Sequence, residues 1–182
     1  SKIVDYLRAN KIDYLSIDKR GTSSGRKLSF NLVDKNLTSR TLENYLPNLI
    51  IHSGTFSALA YKGNFLKTFE EDTNALINIL EFLKRNPLTR LVFFSSSYVY
   101  SGISNQEPCD ERALLRPEHN FGVAKLFFEQ FITRNHPNSV IFRLSSVFGP
   151  GNQSHPNAIK NMIEQSFNKG MIDVWGKGSR KM

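Results

Sequence analysis

The segment 91-LVFFSSSYVYSG-102, together with 121-FGVAK-125 further along, decides the fold of this 182-residue chain. Its apolar start runs directly into three serines, which is typical of a strand that is buried on both faces and ends at a ligand site. Phe121 and Lys125 lie four positions apart on a predicted helix, so they share one face. Serine hydroxyls and a lysine ammonium so placed can hold a substrate oxygen and a ribose, and can lower a neighbouring pKa.

Strand-like and helix-like segments alternate along the rest of the chain. Such alternation predicts βαβ units, and therefore an α/β fold with a Rossmann-type, doubly wound parallel sheet. We expect strands near 13–17, 48–52, 90–95 and 139–144 to lie parallel in one sheet, with His52 and Ser96 at neighbouring strand ends. The other predicted elements are helices at 2–10, 37–46, about 65–85, about 121–134 and from Pro156 to before Gly170, and a strand at 27–31.

The start of the chain corresponds to an interior point of such a fold. A doubly wound nucleotide-binding fold begins with a strand, a glycine-rich turn and a helix, and an acidic residue follows roughly 20 positions later to bind the ribose 2′-hydroxyl. Residues 2–10 match that helix, and Asp18 matches the acidic residue. The sheet is therefore expected to be incomplete at its first strand, and the chain to be a fragment. The basic residues Lys19 and Arg20 could bind a 2′-phosphate, so NAD is the expected cofactor and NADP is the alternative.

Composition narrows the class of protein. With 40% hydrophobic and 22% charged residues, the chain is expected to form one globular domain, and no apolar run reaches the roughly 18 residues of a membrane span. Cys109 is the single cysteine, so an internal disulfide is excluded and a cytoplasmic location is expected. The net charge of +8 is scattered, which favours a pyrophosphate-bearing ligand over nucleic acid. The four histidines and one cysteine lack the spacing of a metal site.

Together these segments resemble the extended short-chain dehydrogenase/reductase family, specifically its NAD-dependent epimerases, dehydratases and reductases of sugar nucleotides. The family has an "SSxxVYG" strand end and a "YxxxK" helix, and the 25 positions from Ser96 to Phe121 match the family's spacing. Further similarities are 49-LIIHSG-54 to "VIHLAA", 78-NILE-81 to "NLLE", 143-RLSSVFGPG-151 to "RxxNVYGPG", 174-VWGKGS-179 to "xxGDGS", and Pro108, Glu111 and Pro117 to the loop before the catalytic helix. The resemblance implies a partial NAD(P)-binding domain over 1–182, with 151–182 beginning the substrate-binding portion.

The resemblance also implies roles for individual residues. The catalytic positions are Ser96, Phe121 and Lys125. The cofactor-binding positions are Asp18, Asn31, Leu32, Ser53, Gly54 and Lys125, and the substrate-binding positions are Ser96, Ser97 and Ser146. The implied partner is a nucleoside-diphosphate sugar, with hydride transfer at a sugar carbon, and a homodimer is possible.

Several of these assignments have a structural alternative. Ser96 could cap backbone groups, Lys125 could be a solvated helix lysine, and Asn31 with Leu32 could form an ordinary strand end. His52 is interpreted as a hydrogen-bonded structural residue, neither a ligand nor a base.

Four positions depart from the family pattern. Phe121 replaces the catalytic tyrosine, Asp72 a usual asparagine, Ser146 the asparagine of "RxxN", and Met182 a frequent arginine. Phenylalanine has no titratable proton, and neither Tyr98 nor Tyr100 can be assumed to replace the phenol. Two functions therefore remain open: an enzyme, or a non-catalytic dinucleotide-binding module or partner subunit.

Overall fold

A computed structural model describes residues 2–103, 109–147 and 158–173 of the chain. Its helices are α1 (Lys2–Ala9), α2 (Lys35–Tyr45), α3 (Ala58–Gly63), α4 (Phe65–Arg85), α5 (Asn120–Asn135) and α6 (Ala158–Lys169). Its strands are β1 (Ser16–Asp18), β2 (Lys27–Ser29), β3 (Leu49–His52), β4 (Arg90–Ser96) and β5 (Ser139–Leu144), and a 3₁₀ turn (Ser97–Tyr100) follows β4. The predictions that involve Pro108, 148-FGPG-151, Pro156, 174-VWGKGS-179 and Met182 lie outside the described residues.

Every strand pairing among these elements is parallel. Strands β3, β4 and β5 form one sheet with β4 in the middle, and the register pairs His52 with Phe93 and Ser96 with Leu144. Strands β3 and β4 are therefore neighbours that end at His52 and Ser96, as expected, and β4 continues three residues past the one paired with His52. The α/β class with a Rossmann-type parallel sheet is confirmed.

The prediction of a single sheet is wrong. Strand β1 pairs with β2 in a separate two-stranded sheet, and β3 has β4 as its described partner. Parallel strands share a sheet only through a ladder of backbone hydrogen bonds, and the described residues form no such ladder between β1 and β3. Both strands therefore present an unpaired edge within the described part of the chain, in agreement with the expectation that the sheet is incomplete.

Helix α4 is the central packing element of the described fold. Asn64 caps its start by accepting a hydrogen bond from the backbone of Lys67, and the helix ends at Arg85, just before Asn86 and Pro87. Nine of its residues are buried, and they contribute Leu76, Ile79, Leu80, Phe82 and Leu83 to the core. The helix contacts α2, α3 and α5, and its Asn78 side chain donates to the carbonyls of Leu32 and Val33, which follow β2.

Helix α5 approaches the end of β4 unusually closely. A Cβ atom added to Gly122 would lie 2.5 Å from the carbonyl oxygen of Tyr98, in the 3₁₀ turn. Only glycine permits this contact without a shift of backbone. The first turn of α5 is thereby held against the strand end that carries Ser96.

Candidate cofactor and active site

Lys125 is buried at the carboxyl end of the larger sheet. Its side chain leaves α5 and donates hydrogen bonds to the hydroxyl of Thr55 at 2.6 Å and to the carbonyl of Phe94 at 2.8 Å. The residue is only 3% exposed, and burial lowers the pKa of its amine to about 8. A solvated helix lysine is therefore excluded.

A buried carboxylate, Asp72 on α4, lies near this amine. It accepts hydrogen bonds from the backbone of Phe56 at 3.1 and 3.2 Å and from the hydroxyl of Tyr61 at 2.8 Å. Burial raises the pKa of Asp72, while the charge on Asp72 raises the pKa of Lys125 against the larger effect of desolvation. The family's asparagine would supply no such charge, so this substitution changes the electrostatics of the site.

Phe121 fills the position between two tyrosines. Its ring meets the rings of Tyr61 and Tyr98 edge-on, each at a centroid distance of 5.6 Å, and the Lys125 ammonium lies 5.5 Å from its centre. Phe121 also packs against the hydrophobic core. It thus fills the space between the two tyrosines but supplies no proton donor or acceptor.

The three serines at the end of β4 have different partners. Ser95 donates a hydrogen bond to buried Glu129, which in turn pairs with Arg143. Ser96 is buried, and its hydroxyl oxygen accepts a hydrogen bond from the backbone of Tyr98 at 3.3 Å. This cap is the structural alternative expected for Ser96, yet it leaves the hydroxyl proton free to donate. Ser97 is half-buried and begins the 3₁₀ turn.

The Arg143 guanidinium lies between Glu129 and the 3₁₀ turn. It donates to the Glu129 carboxylate at 2.8 and 3.1 Å, to the hydroxyl of Tyr100, and to the carbonyl of Glu111 at 3.1 Å. These hydrogen bonds, first of all those to Glu129, raise the pKa of Arg143. The Tyr100 hydroxyl is thus engaged by the arginine, on the β5 side of the sheet.

Within the described part of the chain, His52 lacks the hydrogen bond that was expected from the sequence. The residue is structural and buried, at 3% exposure, but its Nε2 atom has no hydrogen-bond partner among the described residues. Desolvation, with a smaller effect from the Lys125 charge, lowers the pKa of His52 to about 4. The imidazole is therefore neutral near pH 7, and packing against Phe93 accounts for its place.

Asp18 stands at the carboxyl end of β1. It accepts hydrogen bonds from the backbone and side chain of Arg20 at 2.9 and 3.5 Å, and the backbone contact is the main cause that lowers its pKa. Lys19 turns towards α4, where it pairs with Glu71 at 3.5 Å and lies 3.9 Å from the centre of the Phe56 ring. The ionised carboxylate faces solvent while Lys19 is engaged elsewhere.

The remaining predicted residues lie at strand ends but differ in exposure. Ser53 and Gly54 follow β3 and are exposed, and Ser146 is exposed after β5. Asn31 forms a turn by accepting from the backbone of Val33 at 3.2 Å, and Leu32 packs against the core. Local contacts thus explain Asn31 and Leu32, and their cofactor role stays a prediction.

Two contributors to the site were not found from the sequence, Thr55 and Tyr61. Thr55 follows Ser53 and Gly54 after a strand end, which is a position where ligand-binding hydroxyls occur. Tyr61 carried no signal, because only the packing of α3 against α4 and α5 brings its hydroxyl to Asp72.

A parallel sheet with a buried serine at the end of one strand, and a buried lysine on a helix that packs against that strand, is characteristic of the extended short-chain dehydrogenase/reductase class. The chain belongs to the NAD dependent epimerase/dehydratase family, whose sequence model matches residues 1–182. The family predicted from the sequence is thereby confirmed, and NAD is the cofactor named in the family's description.

Known proteins of this class are similar in sequence and fold. A Methanocaldococcus jannaschii protein assigned as a UDP-glucose 4-epimerase is 27% identical over 198 aligned residues, which cover 99% of this chain and 63% of the relative. The crystal structure of Thermus thermophilus UDP-glucose 4-epimerase with NAD has a TM-score of 0.74 at 22% identity, covering 84% of this chain and 53% of that one. L-Threonine dehydrogenase from Phytophthora infestans has a TM-score of 0.77 at 16% identity, covering 93% and 58%. The chain thus spans about half to two thirds of these relatives.

The groups present suit a dinucleotide. Lys125 uses two of its three N–H donors in the contacts described above, which leaves one for a ribose hydroxyl. Ser53 and Gly54 expose backbone beside it, and Asp18 offers an ionised carboxylate at the neighbouring sheet. In the part of the chain that the structure describes, no group of histidine, cysteine and carboxylate side chains could hold a metal ion, and no helix has the length and apolarity to cross a membrane.

Proposed function

We propose that this chain forms the nucleotide-binding part of an NAD-dependent enzyme that transforms a nucleoside-diphosphate sugar by transient or net hydride transfer at a sugar carbon. In this proposal residues 1–182 bind the dinucleotide, and 151–182 begin the substrate-binding portion. The observation that carries it is the buried Lys125, which donates hydrogen bonds to the carbonyl of Phe94 on β4 and to the hydroxyl of Thr55 after β3. The third N–H donor of Lys125 has no partner among the described residues, so a ligand oxygen can accept from it.

Individual residues take the following roles. Asp18 accepts hydrogen bonds from the adenosine ribose, Asn31 and Leu32 flank the adenine, and Ser53 and Gly54 line the path of the cofactor. Lys125 holds the nicotinamide ribose. The bound dinucleotide supplies the hydride acceptor.

Substrate contacts fall to the serines after β4 and β5. Ser96 donates its free hydroxyl proton to the reacting sugar oxygen, and Ser97 and Ser146 contact the sugar nucleotide. The two UDP-glucose 4-epimerases among the relatives support a sugar nucleotide, whereas the threonine dehydrogenase shows that the fold alone does not select it.

We further propose that the protein is cytoplasmic and forms a homodimer. An apolar surface supports the dimer: Val123 and Phe127 on α5 and Leu66 on α4 are 47%, 41% and 77% exposed, and Phe127 contacts Phe69 of α4 edge-on. Exposed apolar residues that adjoin on packed helices are typical of an interface.

The test uses the full-length protein and the variant Phe121→Tyr. Calorimetric titration should show binding of NAD, and the native protein should turn over nucleoside-diphosphate sugars slowly. The tyrosine variant should raise turnover about 10²-fold, because Lys125 lowers the pKa of a phenol placed there. Phe121→Leu is the matched control and should bring no gain.

The second candidate function is a non-catalytic dinucleotide-binding module, which Phe121 itself favours. Unimpaired NAD binding with no sugar-nucleotide turnover in either the native protein or Phe121→Tyr would establish this alternative. Absence of NAD binding would contradict both functions.

A further inference from the structure

Thr55 contributes a hydroxyl at the point where the buried amine meets the open end of the sheet. Its Oγ1 atom lies 2.6 Å from Nζ of Lys125. Thr55 is half-buried, and the residues before it, Ser53 and Gly54, are exposed. The hydroxyl therefore lies between the buried amine of Lys125 and the exposed residues where a ligand can bind.

The groups around Lys125 allow its amine to exist in both protonation states. The charged or titratable groups that face it are Asp72 from α4, Glu129 from α5 and His52 from β3. Both carboxylates favour the ammonium form, but burial has the larger effect and lowers the pKa of Lys125 to about 8. His52 stays neutral and adds no charge near pH 7. A neutral amine is therefore accessible close to physiological pH.

We propose that Thr55 and Lys125 together carry the substrate proton that Phe121 cannot accept, with Thr55 as the catalytic residue that contacts the reacting sugar hydroxyl. This inference rests on the proposed function. It explains how a protein of this family without the phenol can retain slow turnover.

The proposed step balances in atoms and electrons. The bound dinucleotide would supply the oxidant, because its nicotinamide would take the electron pair of the breaking sugar C–H bond as hydride and would be reduced. The sugar O–H proton passes to Oγ1 of Thr55, while the Thr55 proton passes to the neutral Nζ of Lys125. The alcohol becomes a ketone and Lys125 becomes an ammonium, and the same path returns the proton when hydride is returned.

The tyrosines near the site are less suitable carriers. The hydroxyl of Tyr100 accepts from Arg143, and that of Tyr61 donates to Asp72 in a residue that is 1% exposed. Tyr98 lies edge-on to Phe121, and its hydroxyl makes no hydrogen bond to Lys125. Thr55 is the described hydroxyl that contacts the amine.

The first experiment removes the hydroxyl and keeps the shape. In the full-length protein, hydride transfer is followed in a single turnover by the absorbance of the reduced nicotinamide, with a UDP-hexose as substrate. Thr55→Val should lower its rate about 10²-fold or more, while Thr55→Ser should stay within a few fold of native. NADH affinity, measured by fluorescence, and the melting temperature should be similar in all three proteins.

The second experiment supplies another proton carrier. In the Phe121→Tyr background the phenol accepts the proton directly, so adding Thr55→Val should lower the rate of hydride transfer only a few fold. The native rate should rise with pH through about 8, where the neutral amine forms, and Lys125→Arg should abolish it because a guanidinium stays charged.

A readout independent of turnover is the titration of Lys125 itself. With ¹⁵N-labelled lysine, NMR of the NADH complex should show one amine that titrates near pH 8 and is missing in Lys125→Arg. A Lys125 signal that titrates above about pH 10 would overturn the inference.

Other outcomes separate the inference from the function on which it rests. If Thr55→Val leaves native turnover unchanged, or if Tyr98→Phe abolishes it instead, the proton relay through Thr55 is wrong while the proposed enzymatic function stands. Turnover by Phe121→Tyr, with none by the native protein, also contradicts the relay and supports the enzymatic function. Binding of NAD without turnover in either protein contradicts the proposed enzyme, and the relay fails with it.

Discussion

At the scale of single residues, this chain departs from the pattern of its family at two positions near the buried Lys125. Phe121 removes a proton carrier, and Asp72 adds a carboxylate near the buried Lys125. Because all three residues belong to one packed region, neither substitution can be understood alone. The chemical role of a residue at a catalytic position thus depends on the groups around it.

The buried His52 makes stability depend on pH. Its pKa is about 4 in the folded state, below the ordinary value of 6.5, so the unfolded state binds the proton more tightly. Stability should therefore fall as the pH drops from 6.5 to 4, by roughly 3 kcal/mol from this group. Urea unfolding of His52→Leu should lack this part of the loss, while His119→Leu, an exposed control, should retain it. An unchanged acid loss in His52→Leu would contradict the prediction.

The Asp18 carboxylate is expected to select the cofactor. A negative charge at the ribose 2′ position repels a 2′-phosphate, so NAD(H) should bind about tenfold or more tighter than NADP(H). Asp18→Asn should reduce that ratio in calorimetric titrations with both cofactors, and Glu71→Gln should leave it close to native. Preference of the native protein for NADP would instead point to Arg20 and Lys19.

At the scale of elements, the contact between α5 and the 3₁₀ turn positions the site. Gly122→Ala should lower stability by roughly 1–3 kcal/mol and weaken NAD binding, because the added Cβ has no room beside the Tyr98 carbonyl and must push α5 away. Gly63→Ala is the matched control, since a Cβ there meets nothing within 4 Å. Thermal melts and NAD titrations of both variants check this. Equal behaviour of the two would show that the close approach does not hold the site.

At the scale of the whole molecule, the apolar surface on α4 and α5 is predicted to form a dimer. Leu66→Glu should weaken dimerisation at least tenfold in sedimentation experiments, because a carboxylate would be buried in the interface. Leu88→Glu changes a residue that is 92% exposed beyond the end of α4 and should have no effect. A native monomer, or a dimer unchanged by Leu66→Glu, would refute this interface.

The sequence by itself determined the family, the α/β class and the order of the elements. Apolar runs such as 139–144 and the serine, phenylalanine and lysine spacing are local signals, and each strand or helix depends mainly on its own segment. The position of Ser96 at a strand end and that of Lys125 on a later helix followed from this order. For the same reason each predicted helix and strand has an observed counterpart within a few residues, whereas the short helix α3 and the 3₁₀ turn after β4 were not predicted.

Only the tertiary structure decided the separation of β1 from β3, the unpaired Nε2 of His52 and the contact of Thr55 with Lys125. These properties depend on which groups from distant parts of the chain are brought together. Thr55 and Lys125 are 70 positions apart, and the amine reaches the hydroxyl because α5 packs against β4 and the 3₁₀ turn that follows it. Desolvation is likewise a property of the packed fold, so the pKa values of Lys125 and His52 could not be derived from their neighbours in sequence.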